Sequence, residues 1–103
     1  MSLNAQQMRD TRYELKKNFE LTGLSKEQVA SDLGISVVKL NRIFELEQNS
    51  LNDPFILRDY LLEKVTENDK TPVTFTAMGG DIHKYWFLDY GIVEQRRMTS
   101  GDY

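Results

Sequence analysis

The chain has 103 residues, 40% of them hydrophobic, and 13 basic against 16 acidic side chains give a net charge of −3. That length suits one domain with a modest core, for which pairing with a second copy is a natural supplement. The absence of cysteine excludes disulfides, thiolate metal sites and cysteine nucleophiles, and fits a reducing cytoplasm. No stretch approaches the roughly 20 apolar residues of a membrane span, and Met1-Ser-Leu-Asn-Ala-Gln-Gln7 has neither the basic start nor the apolar run of a signal peptide. An acidic balance argues against strong non-specific affinity for nucleic acid, which comes mostly from phosphate neutralisation. The charge is uneven, however. Residues 1–44 hold seven basic and five acidic groups, net +2, while residues 45–103 hold six and eleven, net −5.

The first predicted element is a helix over residues 4–22. Asn4 is its cap, Met8, Leu15, Phe19 and Thr22 form one stripe with Tyr13 beside it, and Gly23 ends it. Ser25 opens a second helix, with Gln28 placed for a capping box. Val29, Ala30 and Leu33 share its buried face, and Ala30 is small where two helices cross. Gly34 stops that helix, Ile35 plugs the turn, and Ser36 caps a third helix whose apolar face is Val37, Leu40, Ile43 and Phe44. Residues 48–52 read as a loop. Asp53-Pro54 then starts a fourth helix, an acidic cap followed by proline at the first helical position, which frays near Asn68. Phe55, Ile56, Tyr60, Leu61 and Val65 form its covering face.

Beyond residue 70 the pattern changes. Thr71-Pro-Val-Thr-Phe-Thr76 is rich in β-branched residues, and Gly79-Gly80-Asp81 is a turn. Two readings of the remainder stand side by side: Asp81 caps a short helix that Gly91 ends, or Tyr85–Leu88 and Ile92–Arg97 form a hairpin.

The segment Leu24 to Glu45, with Ala30, Gly34 and Ile35 in register between two apolar faces, resembles the helix-turn-helix of lambda-repressor-like proteins. The whole chain resembles a lambda-repressor-like family of bacterial proteins of about this size and unknown function. Thr11-Arg-Tyr-Glu-Leu-Lys-Lys-Asn18, the central motif, Leu57-Arg-Asp-Tyr-Leu61 and Tyr85-Trp-Phe-Leu88 carry that likeness. It implies a mainly α fold: a lambda-repressor-like helix-turn-helix bundle of four to five helices with an irregular or small β C-terminal extension. The expected organisation is a helical domain over 1–70 with the motif at 25–46. An aromatic extension over 71–98 packs on it or on a partner, and a disordered tail spans 99–103. Leu24, Val29, Leu33, Ile35, Leu40, Ile43, Leu57 and Leu61 are the expected core. The family brings no established activity.

In repressor-like proteins base contacts come from the exposed face and N-terminal end of the second motif helix. Carried onto this chain, that implies Ser36, Val38, Lys39, Asn41, Arg42 and Glu45. Asn41 suits adenine, Arg42 guanine and Val38 a thymine methyl. Gln28 suits a phosphate or a base edge, and Lys26 a phosphate. Each is equally an ordinary solvated residue, and an outward Val38 also fits a protein-contacting surface. Arg9, Arg12 and Lys16 share one helical side, read either as an approach to the DNA backbone or, preferred, as a solvated face paired with Asp10 and Glu14. His83, with Asp81 and Asp89 nearby, reads as a structural histidine, since one imidazole and two loop carboxylates make no metal or acid–base site. No catalytic set, cofactor or metal is expected. Tyr85, Trp86, Phe87 and Tyr90 either seal the bundle, pair with a second copy, or frame a small-molecule pocket for an effector that no convergent polar set defines. Two functions follow: a dimeric cytoplasmic DNA-binding transcription regulator with double-stranded DNA as partner, or a protein-interaction module on the same scaffold without DNA.

Overall fold

A computed structural model describes residues 3–48, 50–79, 88–99 and 101. Among these residues five helices follow in order: α1 (Ala5–Thr22), α2 (Lys26–Leu33), α3 (Val37–Phe44), α4 (Asp53–Glu67) and α5 (Tyr90–Glu94). Among the described residues there is no strand, and residues 71–79 are irregular.

Short polar caps set the helix boundaries. Asn4 and Gln7 exchange side chain-to-backbone bonds of 2.7 and 3.0 Å in a full capping box. Ser25 Oγ accepts from Gln28 N at 3.1 Å, but the reciprocal half of that box is absent because the Gln28 amide donates to Asp32 at 2.7 Å. Gly34 adopts φ 71°, and the next residue, Ile35, donates its N–H to Ala30 O at 3.0 Å. This closes α2 and turns the chain into α3, which Ser36 Oγ caps by accepting from Lys39 N at 3.0 Å. Asp53, expected as the cap of α4, is its first helical residue; Asn52 holds the cap position but its side chain does not cap the helix, accepting instead from Asp89 N at 3.1 Å.

The core is continuous. Leu15 of α1, Val29, Ala30 and Leu33 of α2, and Leu40, Ile43 and Phe44 of α3 pack with Phe55, Ile56, Leu57, Tyr60 and Leu61 of α4. The expected Leu24 and Ile35 are only partly buried beside it. Phe19 meets Phe44 edge to face at 5.5 Å, joining α1 to α3. The described parts of the C-terminal extension pack on the same core through Phe75, Met78, Leu88 and Val93.

The inner face of α1 is largely polar, unlike the apolar stripe expected. Its buried residues are Thr11, Glu14, Leu15, Asn18 and Thr22. Asn18 receives Val73 N on Oδ1 at 2.9 Å and donates from Nδ2 to Val73 O at 3.0 Å. Glu14 accepts from Thr76 N at 3.1 Å and from its hydroxyl at 2.9 Å. Buried polar groups need partners, so these side chains satisfy the backbone of an irregular segment that has no ladder of its own. Glu14 is therefore not part of a solvated charge pair on α1.

The chain enters α5 differently from either sequence reading. Asp89 is the cap, its carboxylate accepting from Ile92 N at 3.2 Å. Gly91 lies inside the helix, and Ile92–Glu94 are helical, not the second strand of a hairpin. Asp81 and Tyr85–Phe87 lie outside the described residues.

Several surface carboxylates are tuned by the fold. The Tyr60 hydroxyl, donating to Asp32 at 2.6 Å, and the Gln28 amide hold the Asp32 carboxyl below its ordinary pKa. Burial, then the same carboxylate, push the Tyr60 hydroxyl up. Lys16 lowers Glu45, and Arg96 lowers Glu63. A carboxyl lowered in the folded state adds stability above its unfolded pKa and loses it as pH falls through the folded value. The unfolded references are 3.8 for Asp32 and 4.5 for the two glutamates. The urea midpoint is therefore expected to hold near neutrality and to fall as pH drops below about 4.5, with Asp32→Asn flattening the fall. A midpoint unchanged between about pH 5 and about pH 3 would show that these contacts do not form in solution.

Candidate functional site

α3 presents one outward stripe. Val38, Asn41, Arg42 and Glu45 follow at spacings of three and four, opposite Leu40, Ile43 and Phe44. Val38 is 57% exposed, unusual for a branched apolar residue. Asn41 and Arg42 are exposed, and among the described residues no side chain pairs with the Arg42 guanidinium.

Basic side chains from the other helices converge on this stripe. Lys26, first residue of α2, donates from Nζ to Asn41 Oδ1 at 2.7 Å, and its ammonium lies 5.6 Å from the centre of the Phe44 ring. Lys16 of α1 meets the Glu45 carboxylate at 2.5 Å. The Glu45 carboxyl is held below its ordinary range first by that Lys16 bond, then by the charges of Lys16, Arg12 and Lys26. Three basic groups from two other helices thus act on the residue that caps the C-terminus of α3. The spacing of Arg12 and Lys16 places them on one side of α1, but sequence gave no sign that this side borders α3. The Phe19–Phe44 packing between the two helices brings it there.

The structure gathers Lys26, Val38, Asn41, Arg42 and Glu45 and leaves three expected members elsewhere. Ser36 is exposed at the head of α3, where its hydroxyl caps the helix. Gln28 bonds Asp32 and lines a cleft with Leu24, Lys64 and Asn68 on the α2–α4 side. Lys39 is a correction. Expected on the exposed face, it is 1% exposed, and its ammonium faces the fully buried Asp53 at 3.5 Å. It also donates to the Thr99 hydroxyl at 2.5 Å and to the Thr99 carbonyl. The Thr99 hydroxyl donates on to Asp53 Oδ2 at 2.7 Å, and Thr99 N–H reaches Oδ1 at 3.3 Å. Position 39 lies one turn before the buried Ile43, which turns its stem inward. Thr99, expected to begin a disordered tail, closes this cluster.

Of the aromatic set expected at a partner surface, Tyr85, Trp86 and Phe87 lie outside the described residues, as does His83. Tyr90 is partly buried against the protein's own core. Among the described residues no group of three His, Cys, Asp or Glu side chains is placed to hold a metal ion, and no helix is long and apolar enough to cross a membrane.

Fold and site together define a small helical protein with two short helices joined by a tight turn, the second showing a polar face bordered by basic residues. The family described as "uncharacterized protein conserved in bacteria (DUF2316)" matches residues 1–89, and the chain belongs to it. No curated protein and no solved structure matches the chain.

Proposed function

We propose that the protein is a small cytoplasmic DNA-binding transcription regulator, lambda-repressor-like in fold, with α2 and α3 as its helix-turn-helix and α3 as recognition helix. The observation that carries this reading is the outward Val38, Asn41, Arg42 and Glu45 stripe with Arg12, Lys16 and Lys26 drawn around it. A stripe of that length fits a major groove, and basic residues on both sides suit the phosphates that flank it. Arg42 is the base reader: a planar guanidinium matches the O6 and N7 acceptors of guanine. Val38 suits a thymine methyl, and Arg12, Lys16 and Lys26 suit phosphates. Lys39 leaves the reader set because its charge is buried and paired. A twofold dimer would set two α3 helices about 34 Å apart on one side of the duplex. The reading involves no cofactor and no catalytic step.

Selection from a library of random duplexes tests it. Wild type is expected to enrich a defined site, and Arg42→Ala to relax preference at one base step by about 1–3 kcal/mol. Unchanged preference would remove Arg42 from the reader set. A second reading, a protein-interaction module, rests on the exposed Val38 and the net charge of −3. It predicts no enrichment of any duplex.

A further inference from the structure

We propose that Lys26 and Asn41 form one donor-rich reading unit that selects guanine over adenine, an inference that rests on the DNA-binding reading above. A free asparagine side chain offers one acceptor oxygen and two N–H donors. Bidentate recognition of adenine uses both kinds, the oxygen accepting from N6 and the amide donating to N7. Here the oxygen is engaged: Lys26 Nζ donates to Asn41 Oδ1 at 2.7 Å. The lysine that holds it is itself placed, as the first residue of α2 with its ammonium 5.6 Å from the Phe44 ring centre. Left unbonded on the pair are the two Nδ2 donors, the remaining ammonium protons and one lone pair of Oδ1, so donors outnumber acceptors. Guanine answers that pattern, because O6 and N7 both accept.

The rest of the face repeats it. Its acceptors are Asn41 Oδ1 and the Glu45 carboxylate, and each already takes one lysine bond inside the protein, from Lys26 at 2.7 Å and from Lys16 at 2.5 Å. The donors, Asn41 Nδ2 and the Arg42 guanidinium, sit on exposed residues, and among the described residues no side chain pairs with that guanidinium. A surface of this kind favours acceptor edges, and Lys26 reads sequence by setting what Asn41 presents.

Duplex selection with wild type, Lys26→Met and Asn41→Ala tests the unit. Methionine keeps an unbranched stem at position 26 and removes the charge. Loss of one phosphate contact weakens all sequences alike, so the readout is the ratio of guanine to adenine at a step, not total affinity. Wild type is expected to prefer guanine about tenfold at one step that Asn41→Ala erases while Arg42-dependent preference remains. Lys26→Met should move that step towards adenine. Adenine preferred there by wild type, or guanine preference surviving Lys26→Met, would overturn the inference and leave DNA binding standing. No duplex enriched by wild type would overturn the DNA reading and this inference with it.

Discussion

Asp53→Ala is expected to lower the free energy of unfolding by about 3–5 kcal/mol. The carboxylate is fully buried at the start of α4 and is shared by the buried Lys39 ammonium and by both the hydroxyl and the N–H of Thr99. Removing it leaves an ammonium without a counter-charge in a place water does not reach, which is the costly way to break a buried pair. The same loss unties the C-terminal segment, since Thr99 gives two bonds to that one group. A paired replacement separates the charge from the packing. Lys39→Met with Asp53→Leu takes out both ions, and is expected to recover much of the loss, because a buried ion pair is often no better than a fitted apolar pair. Urea unfolding of the three variants decides it. A cost under about 1 kcal/mol for Asp53→Ala would mean that Lys39 reaches solvent and belongs to the outer face after all.

Leu40→Ala is expected to cost about 2–5 kcal/mol. Leu40 is fully buried on the inner side of α3, within the core that α3 shares with α2 and α4. Truncation there removes contacts from several helices at once, and the cost depends on how far they can close the gap. Val38→Ala, two residues away on the outer side, should stay within about 0.5 kcal/mol. Ile35, only partly buried, should fall between the two. Equal effects of Leu40→Ala and Val38→Ala in urea unfolding would show that α3 is rotated from the position described.

The contrast between those positions was legible in the chain, because α2 and α3 are punctuated by residues with strong local preferences. Ser25, Gly34 and Ser36 act through the adjacent backbone, so their meaning survives without knowledge of the fold. The apolar spacing of Leu40, Ile43 and Phe44 then fixes which side turns inward. Lys39 was misplaced for the opposite reason. Its partners are 14 and 60 positions away, and a lysine stem can lie along either side of a helix. A signal existed in its spacing of four to Ile43, but charge outweighs spacing when a side chain is assumed to seek water. Thr11, Glu14, Asn18 and Thr22 show the same thing on α1. They repeat at helical intervals, yet a search for apolar residues passes over them: Asn18 and Glu14 are matched by the unladdered backbone at Val73 and Thr76, and the Thr11 and Thr22 hydroxyls by carbonyls of α1 itself. The convergence of Arg12 and Lys16 on α3 needed the packing of α1, which no local pattern states.

The outer face of α3 is the proposed duplex-binding surface. Fluorescence anisotropy of the protein with its own promoter fragments and with random duplexes, across a salt series, tests this most directly. Sequence-dependent binding that weakens with salt is expected, with a log–log slope of about −3 per protomer if Arg12, Lys16 and Lys26 each meet a phosphate. No binding to any duplex even at low salt would contradict it, and would leave the exposed Val38 as part of a surface for protein.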